Sequence, residues 1–154
     1  MAQRVICVVG PTASGKTKMG AALAGRFHGE VVSVDSMQIY RGMTVGTAAP
    51  TEAEMQGVPH HMIAVADPTE QWSAAEYAAR ATAAVDSILA RGKLPILVGG
   101  TGLYVQSFLY GVRFTAEKAP DGLREQLAAE LAEKGPAALY EELKQVAPEA
   151  AAAL

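Results

Sequence analysis

The segment VVGPTASGKT, from Val8 to Thr17, decides the fold of this 154-residue chain. From Gly10 onward it matches the full pattern G-x-x-x-x-G-K-[ST]. An apolar run precedes it and a helical pattern follows it, which is the strand, loop and helix context of a phosphate-binding loop. In such a loop the backbone N–H groups surround phosphate oxygens, Lys16 neutralises terminal-phosphate charge and Thr17 ligates Mg²⁺. ATP, GTP and an organic pyrophosphate would all present suitable oxygens.

The composition is that of one globular domain in a reducing compartment. Half of the residues are hydrophobic and 19% are charged, so the chain can bury a sizeable core. The net charge of -3 gives no bulk electrostatic reason to expect a nucleic-acid partner. Cys7 is the single cysteine, so no internal disulfide can form, and we expect it to be a buried packing residue. The sequence has no signal peptide and no membrane-spanning run, so we predict a cytoplasmic protein without membrane contact.

The remaining pattern predicts an α/β fold, a parallel sheet with helices on both faces that is typical of P-loop nucleoside triphosphate hydrolases. We predict three strands, at residues 4–9, 30–35 and 94–100, and helices at residues 16–27, 73–91 and 101–111. Met19, Leu23 and Phe27 lie along one side of the first helix, and Ser73 is a candidate N-cap of the second, with Glu76 three residues on. Residues 36–71 have no sustained period and are predicted to be a long working loop with short helical pieces.

After Gly111 the composition becomes charged and alanine-rich, and it predicts two amphipathic helices, over residues 119–135 and 136–154. We therefore divide the chain into a P-loop core at residues 1–112 and a helical segment at residues 113–154. A phosphate-binding sheet ordinarily has about five strands. With three predicted, either a strand hides in a loop or the chain stops early.

Two polar residues are expected at the carboxyl edge of the sheet, where open α/β sheets bind ligands. Asp35 ends the second strand and is predicted to be a general base, although an N-cap or a magnesium-organising carboxylate would also fit. Thr101 follows LVGG and opens a helix, so it is either an ordinary N-cap or a residue that contacts substrate, and both roles can hold together. The glycines before it permit close backbone approach, as at a site where a substrate passes near the main chain.

The other candidate residues favour structural roles. Adjacent histidines in a strand-like segment point in opposite directions, so His60 and His61 are interpreted as loop packing and not as metal ligands. Trp72 and Tyr104 are interpreted as core residues and not as base-stacking ones. From the residues alone two enzymes stay open, a small P-loop kinase resembling shikimate kinase and a transferase that cleaves a pyrophosphate.

Four motifs together resemble the tRNA dimethylallyltransferases, also called tRNA isopentenyltransferases. They are GPTASGKT at residues 10–17, DSMQIYRGMTVGTAAPT at 35–51, VPHHMI at 58–63 and LVGGTGLYVQSFLYG at 97–111. The helical end, with LREQL and ALYEELKQVAPEAAA, is similar to that family's helical insertion. The resemblance implies transfer of a dimethylallyl group from its pyrophosphate to N6 of adenosine 37 in tRNA, with Mg²⁺ as cofactor and, we expect, a monomeric protein.

The same resemblance implies roles for individual residues. Asp35, Thr101 and Lys16 are the expected catalytic residues, and Thr17 the expected Mg²⁺ ligand. The tRNA anticodon region is expected to contact Asp35, Ser36, Met37, Gln38, Thr101 and Arg124. Dimethylallyl pyrophosphate is expected to bind Gly10, Pro11, Thr12, Ala13, Ser14, Gly15, Lys16 and Thr17.

The chemistry expected for transfer of the dimethylallyl group fits these residue types. Departure of pyrophosphate leaves an allylic cation, so the leaving charge must be stabilised by N–H groups, Lys16 and Mg²⁺. The adenine amino group becomes acidic as the new C–N bond forms, so a carboxylate can accept its proton late. The target base must also leave its stack.

The chain departs from the family's length. Family members continue for well over a hundred residues, through a basic segment and the remaining core strands, whereas this sequence ends at Leu154, within the insertion. We expect a truncated or partial polypeptide, which would explain the missing strands. A P-loop kinase, an enzyme that prenylates free adenine nucleotides and a non-catalytic remnant are the alternatives.

Overall fold

The computed structural model describes residues 4–111 and 120–154. They fall into two compact units, Met1–Phe114 and Thr115–Leu154. The predicted boundary near residue 112 lies outside the described residues.

The first unit is built on a four-stranded parallel sheet in the order β1-β4-β2-β3. The strands are β1 (Ile6–Val9), β2 (Gly29–Val34), β3 (His60–His61) and β4 (Leu94–Gly99). All six residues of β2 are buried, as in a central parallel strand. The predicted fold class is confirmed, and β3 is a strand hidden in the loop that the sequence predicts for residues 36–71.

Four helices accompany this sheet: α1 (Lys16–Arg26), α2 (Glu52–Met55), α3 (Ala74–Ala90) and α4 (Gly102–Tyr110). Helices α3 and α4 pack on one another, and the larger core cluster joins them to Val32 and Leu97 of the sheet. Ser73 caps α3 as predicted, since its hydroxyl accepts a hydrogen bond from the Glu76 N–H at 3.1 Å. Tyr104 is buried in this cluster and Trp72 packs against it, so both are core residues as expected.

Of the three apolar residues that the sequence places along one side of α1, Leu23 packs against the core and the other two are exposed. Met19 and Phe27 are 59% and 54% exposed, while the buried residues are Gly20, Ala21 and Ala24. The cause is close packing on β4, because a Cβ added to Gly20 would lie 2.4 Å from Cγ2 of Val98. Small side chains let the helix backbone approach the sheet, while Leu23 packs against the cluster that includes Val98.

The second unit is helical, with α5 (Leu123–Val146) and α6 (Pro148–Ala152). Gly135, with φ of 77° and ψ of 167°, interrupts α5 just before Pro136, at the predicted junction between two helices. The predicted helix over residues 136–154 is wrong in its extent, because the chain leaves the helical conformation at Ala147 before Pro148 starts α6. Within the described part of the chain, no helix has the length and hydropathy needed to cross a bilayer.

Candidate active site

The phosphate-binding loop connects β1 to the first turn of α1. Ala13 and Gly15 adopt left-handed backbone conformations, with φ of 62° and 84°, and the Ser14 hydroxyl donates to the Pro11 carbonyl at 2.8 Å. The Lys16 ammonium lies over the loop and donates to the Pro11 carbonyl and to Oγ of Ser14. The first turn of α1 carries no acidic residue, so its N–H groups and its positive dipole end favour an anion at this place.

A cavity of about 550 Å³ lies beside this loop. It brings together the phosphate-binding residues Thr12–Thr17, the carboxylate of Asp35 and the glycines that end β4. This gathers most of the predicted site residues in one place. The remaining lining residues are Lys18, Val31, Ser33, Met37, Gln38, Gly46, Thr47, Ala48, Ala49, Pro50, Glu54, His60, Ile63 and Val98.

Asp35 sits in a tight turn directly after β2. Its Oδ1 accepts hydrogen bonds from the N–H groups of Met37, at 2.8 Å, and Gln38, at 3.3 Å. Asp35 therefore caps a turn and not the start of a helix, so the alternative of an N-cap is wrong. Both bonds go to one oxygen, and Asp35 also lines the cavity.

Thr101 ties the ends of β2 and β4 together. Its hydroxyl accepts a hydrogen bond from the Ser36 N–H at 3.0 Å and forms no bond to the N–H groups of α4, so the expected N-cap bond is not made. The N–H groups of Gly100 and Thr101 both donate to the Val34 carbonyl, at 3.1 Å. Thr101 thus holds the backbone next to Asp35 in place.

The glycines before Thr101 permit close approach, but to the protein's own main chain. A Cβ on Gly99 would lie 2.1 Å from the carbonyl oxygen of Val34, and one on Gly100 would lie 3.1 Å from the carbonyl oxygen of Gly10. Passage of a substrate near this backbone stays a prediction, and Gly99 and Gly100 both line the cavity.

The other predicted residues are distributed as follows. Met37 and Gln38 line the cavity, whereas Ser36 contributes its backbone N–H to Thr101 and lies next to the lining residues. Gly10 and Pro11 support the loop from outside the lining. Arg124 is an exposed residue of α5 in the second unit, and the cavity is lined by residues of the first unit.

Two stacked tyrosines support β2 two residues before Asp35. The rings of Tyr77 and Tyr104 lie 4.1 Å apart and nearly parallel, and the Tyr77 hydroxyl donates to the Ser33 carbonyl at 2.9 Å. Burial, together with the nearby Tyr40 and Asp35, raises the pKa of Tyr104, and burial also raises that of Tyr77. Both hydroxyls are therefore neutral, and that of Tyr77 serves as a hydrogen-bonding group of the core.

Glu30 forms a buried ionic cluster at the opposite ends of the strands. Its side chain is 3% exposed and contacts Lys93 at 2.7 Å, and His61 and Arg91 at 2.6 Å each. Burial alone would raise the pKa of Glu30, but hydrogen bonds from Lys93, His61 and Arg91 outweigh it and lower the pKa to about 2. This cluster ties β3 to β2 and β4.

The two histidines have separate roles. His61 belongs to the Glu30 cluster, while the ring of His60 lines the cavity and its Nδ1 hydrogen-bonds to the Val58 carbonyl at 2.8 Å. Within residues 4–111 and 120–154, no group of three His, Cys, Asp or Glu side chains is arranged to hold a metal ion.

Sequence reasoning missed the wall of the cavity formed by Gly46–Pro50, and it also missed Glu54 and His60. The sequence carried part of this information, because Gly46–Pro50 lie in the same motif, at residues 35–51, as Asp35. The Glu30 cluster was missed as well. A lone acidic residue at the start of an otherwise apolar strand could have indicated it.

Comparison with known proteins identifies relatives of the whole chain. The family model described as IPP transferase matches residues 38–154. The tRNA dimethylallyltransferase of Caldanaerobacter subterraneus subsp. tengcongensis is 50% identical over 98% of this chain and 48% of the relative. The tRNA dimethylallyltransferase of Bacillus pumilus is also 50% identical, over 99% of this chain and 48% of the relative. The chain thus spans about half the length of the curated relatives it matches.

Solved structures agree with this assignment. The full-length tRNA isopentenylpyrophosphate transferase of Bacillus halodurans is 46% identical, with a TM-score of 0.73 over 99% of this chain and 50% of that one. A eukaryotic dimethylallyltransferase acting on tRNA is 31% identical, with a TM-score of 0.83 over 99% of this chain and 38% of that one. The family model matches more than half of the residues, and the fold and the relatives agree with it. The chain belongs to the IPP transferase family.

Proposed function

We propose that this protein takes part in the transfer of a dimethylallyl group from dimethylallyl pyrophosphate to N6 of adenosine 37 in tRNA. The observation that carries the proposal is that one cavity is lined both by the phosphate-binding loop and by Asp35. Relatives that are about 50% identical are named tRNA dimethylallyltransferases. A site that binds an anionic leaving group beside a proton acceptor suits this reaction.

The phosphate-binding loop stabilises the leaving group. The C–O bond between the allylic carbon and pyrophosphate breaks, and its electron pair leaves with the pyrophosphate. The N–H groups of Thr12–Thr17 and the Lys16 ammonium bind the negative charge that develops there. Such preorganised donors are worth several kcal/mol to a transition state in which charge is localised on oxygen.

Asp35 receives the proton. As N6 of the adenine forms its bond to the allylic carbon, it loses a proton to the carboxylate of Asp35, which lies in the same cavity. Thr101 positions this carboxylate through its bond to Ser36. Met37 and Gln38 are proposed to lie along the path of the adenosine, and Arg124, with the helical segment 113–154, is proposed to contact tRNA.

Magnesium fits the donor set near the loop. The Thr17 hydroxyl is in the first turn of α1 and lines the cavity. Mg²⁺ is ordinarily held by one or two protein oxygens together with substrate phosphates, which suits a place without a cluster of carboxylates. When bound, the ion would supply positive charge to the pyrophosphate. We further propose a cytoplasmic location, since tRNA is the substrate, and a monomer.

The first test is binding of the donor by the chain itself. Calorimetric titration with dimethylallyl pyrophosphate and Mg²⁺ should show saturable binding, and Lys16→Ala should weaken it at least tenfold because a charge-assisted contact is lost. Arg26→Ala removes a cation from the other end of the same helix and should have no effect. Failure of dimethylallyl pyrophosphate to bind, or displacement of it by ATP at lower concentration, would contradict the proposal and favour a kinase.

The second test is transfer. An isotope-labelled dimethylallyl group should appear in an anticodon stem–loop that carries adenosine 37, and Asp35→Ala should abolish the transfer while leaving donor binding intact. AMP as a competing acceptor separates tRNA modification from prenylation of free nucleotides. Donor binding without transfer to either acceptor would restrict this chain to the binding half of the activity.

A further inference from the structure

Both ends of the Gln38 carboxamide form hydrogen bonds within the chain itself. Its Oε1 accepts a hydrogen bond from the Ser33 hydroxyl at 2.9 Å. Its Nε2 donates to the carbonyl oxygens of Ala48, at 3.0 Å, and Thr47, at 3.4 Å. The amide nitrogen thus faces two carbonyl oxygens of the chain itself, and the amide oxygen uses one of its two lone pairs on Ser33.

The orientation of this amide follows from its partners. The carbonyls of Thr47 and Ala48 can only accept hydrogen bonds, so the nitrogen must face them. The oxygen then faces Ser33, whose hydroxyl has to donate. This chain of hydrogen bonds therefore has one arrangement, because a flipped amide would place Oε1 against the carbonyl oxygens of both Thr47 and Ala48.

The Ser33 end is rigid. Ser33 belongs to β2 and is buried, and its carbonyl accepts the hydrogen bond from the Tyr77 hydroxyl. Tyr77 is fully buried and stacks on Tyr104. One end of the Gln38 side chain is thus anchored to the core.

The other end holds a strained segment, the Gly46–Pro50 wall. Gly46 and Ala48 have left-handed φ values of 80° and 51°. For a residue with a Cβ this conformation costs about 1 kcal/mol and persists only where neighbours enforce it. Five consecutive residues of the wall line the cavity, and Val45 before them is 94% exposed. The wall needs an outside support, and the amide of Gln38 supplies two bonds to it.

We propose that Ser33 and Gln38 are positioning residues, which fix the Gly46–Pro50 wall and so shape the acceptor side of the cavity. Gln38 acts through the wall and does not contact tRNA with its amide. This inference rests on the proposed function only for the identity of the acceptor, because the support of the wall is a property of the free chain.

The wall can be tested without any substrate. Elastase cleaves after small aliphatic residues, and mass spectrometry identifies cuts after Val45 and Ala48. Cleavage of a locally opened segment follows the population of the open form. Since each hydrogen bond contributes modestly, we expect Ser33→Ala and Gln38→Ala each to speed these cuts about fivefold, and the double variant to be no faster than Gln38→Ala.

Ser107→Ala is the matched control, because it also deletes a buried serine hydroxyl, one that bonds within its own helix. It should leave cleavage of the wall unchanged. Wall cleavage within twofold of wild type in both Ser33→Ala and Gln38→Ala would overturn the proposal. If Ser33→Ala unfolds, Gln38→Ala and Gln38→Glu decide: faster wall cleavage in both supports the proposal, and unchanged cleavage overturns it.

Binding measurements separate positioning from direct contact. Affinity for dimethylallyl pyrophosphate should stay within twofold in both variants, while affinity for the anticodon stem–loop should fall by a similar factor in each. A loss confined to Gln38→Ala would show direct reading of the acceptor and overturn the positioning role. If wild type binds neither ligand, the proposed function fails, whereas the cleavage result still stands.

Discussion

Replacing Gly99 by alanine tests how closely β2 and β4 must approach. A Cβ at this position would lie 2.1 Å from the carbonyl oxygen of Val34, 2.5 Å from its carbonyl carbon and 2.9 Å from its Cα. All three are backbone atoms of the neighbouring strand, so no side chain can rotate to make room. Strands β2 and β4 would have to separate by about 1 Å to restore ordinary contact, given their normal spacing of ~4.8 Å.

The cost comes from two sources. Overpacking of a core by one methyl group destabilises a protein by about 1–3 kcal/mol. Separation at Val34 also weakens the two hydrogen bonds that its carbonyl accepts from Gly100 and Thr101, each worth about 1 kcal/mol. A loss of about 3–5 kcal/mol follows. For a chain of this size it corresponds to a melting temperature lower by about 10 °C or more.

Fluorescence of Trp72 gives the readout. Trp72 is the single tryptophan and packs against the core cluster that includes Val34 and Leu97. Gly102→Ala is the control from the same motif, since a Cβ there meets no atom within 4 Å, and alanine is favoured over glycine in a helix by about 0.5–1 kcal/mol. A Gly99→Ala melting curve within 2 °C of wild type would refute the reasoning.

Three further predictions concern single groups. The pKa of Glu30 is lowered from 4.5 to about 2, so its carboxylate stabilises the fold fully above pH 4.5, and the contribution is lost as the pH falls toward 2. In urea unfolding, the free energy of unfolding of the wild type should fall by up to about 3 kcal/mol between pH 4.5 and 2, and by less because solvent screens the half-exposed cations. The free energy of unfolding of Glu30→Gln should depend less on pH over the same range. Thr101→Val should destabilise the chain by about 1–3 kcal/mol because the Ser36 N–H loses its acceptor, and Thr101→Ser should restore stability in the same melting assay; equal losses in both would contradict the role of the hydroxyl. Burial raises the pKa of the Cys7 thiol, so its reaction with a disulfide reagent should be slow in the folded chain and fast in denaturant, and equal rates would show that Cys7 is accessible.

The sequence predicts the parts of this fold that have strong local signals. The phosphate-binding pattern, the Ser73 cap and the break at Gly135-Pro136 each depend on residues a few positions apart, and the structure has all three. Asp35 was also placed correctly at the carboxyl edge, because parallel strands present their ends together.

Features that depend on contacts between distant segments could not be predicted in this way. The two-residue strand β3 has no period of its own, and pairing with β2 makes it a strand. The buried face of α1 is set by its approach to Val98, which overrides the apolar stripe of Met19 and Phe27. From the sequence alone, Glu30 would be expected to be exposed, because its three partners, His61, Arg91 and Lys93, come from other segments.

The strand order explains why the LVGGT segment carries so much of the site. Because β4 lies between β1 and β2, its end is next to the phosphate-binding loop on one side and to the Asp35 turn on the other. Gly100 faces the Gly10 carbonyl, and Thr101 binds the backbone of Ser36. Two strand spacings of ~4.8 Å place the ends of β1 and β2 about 10 Å apart. How far the loop lies from the Asp35 turn is therefore set by how closely β4 packs on both neighbours, and the small residues at the end of β4 allow that close packing.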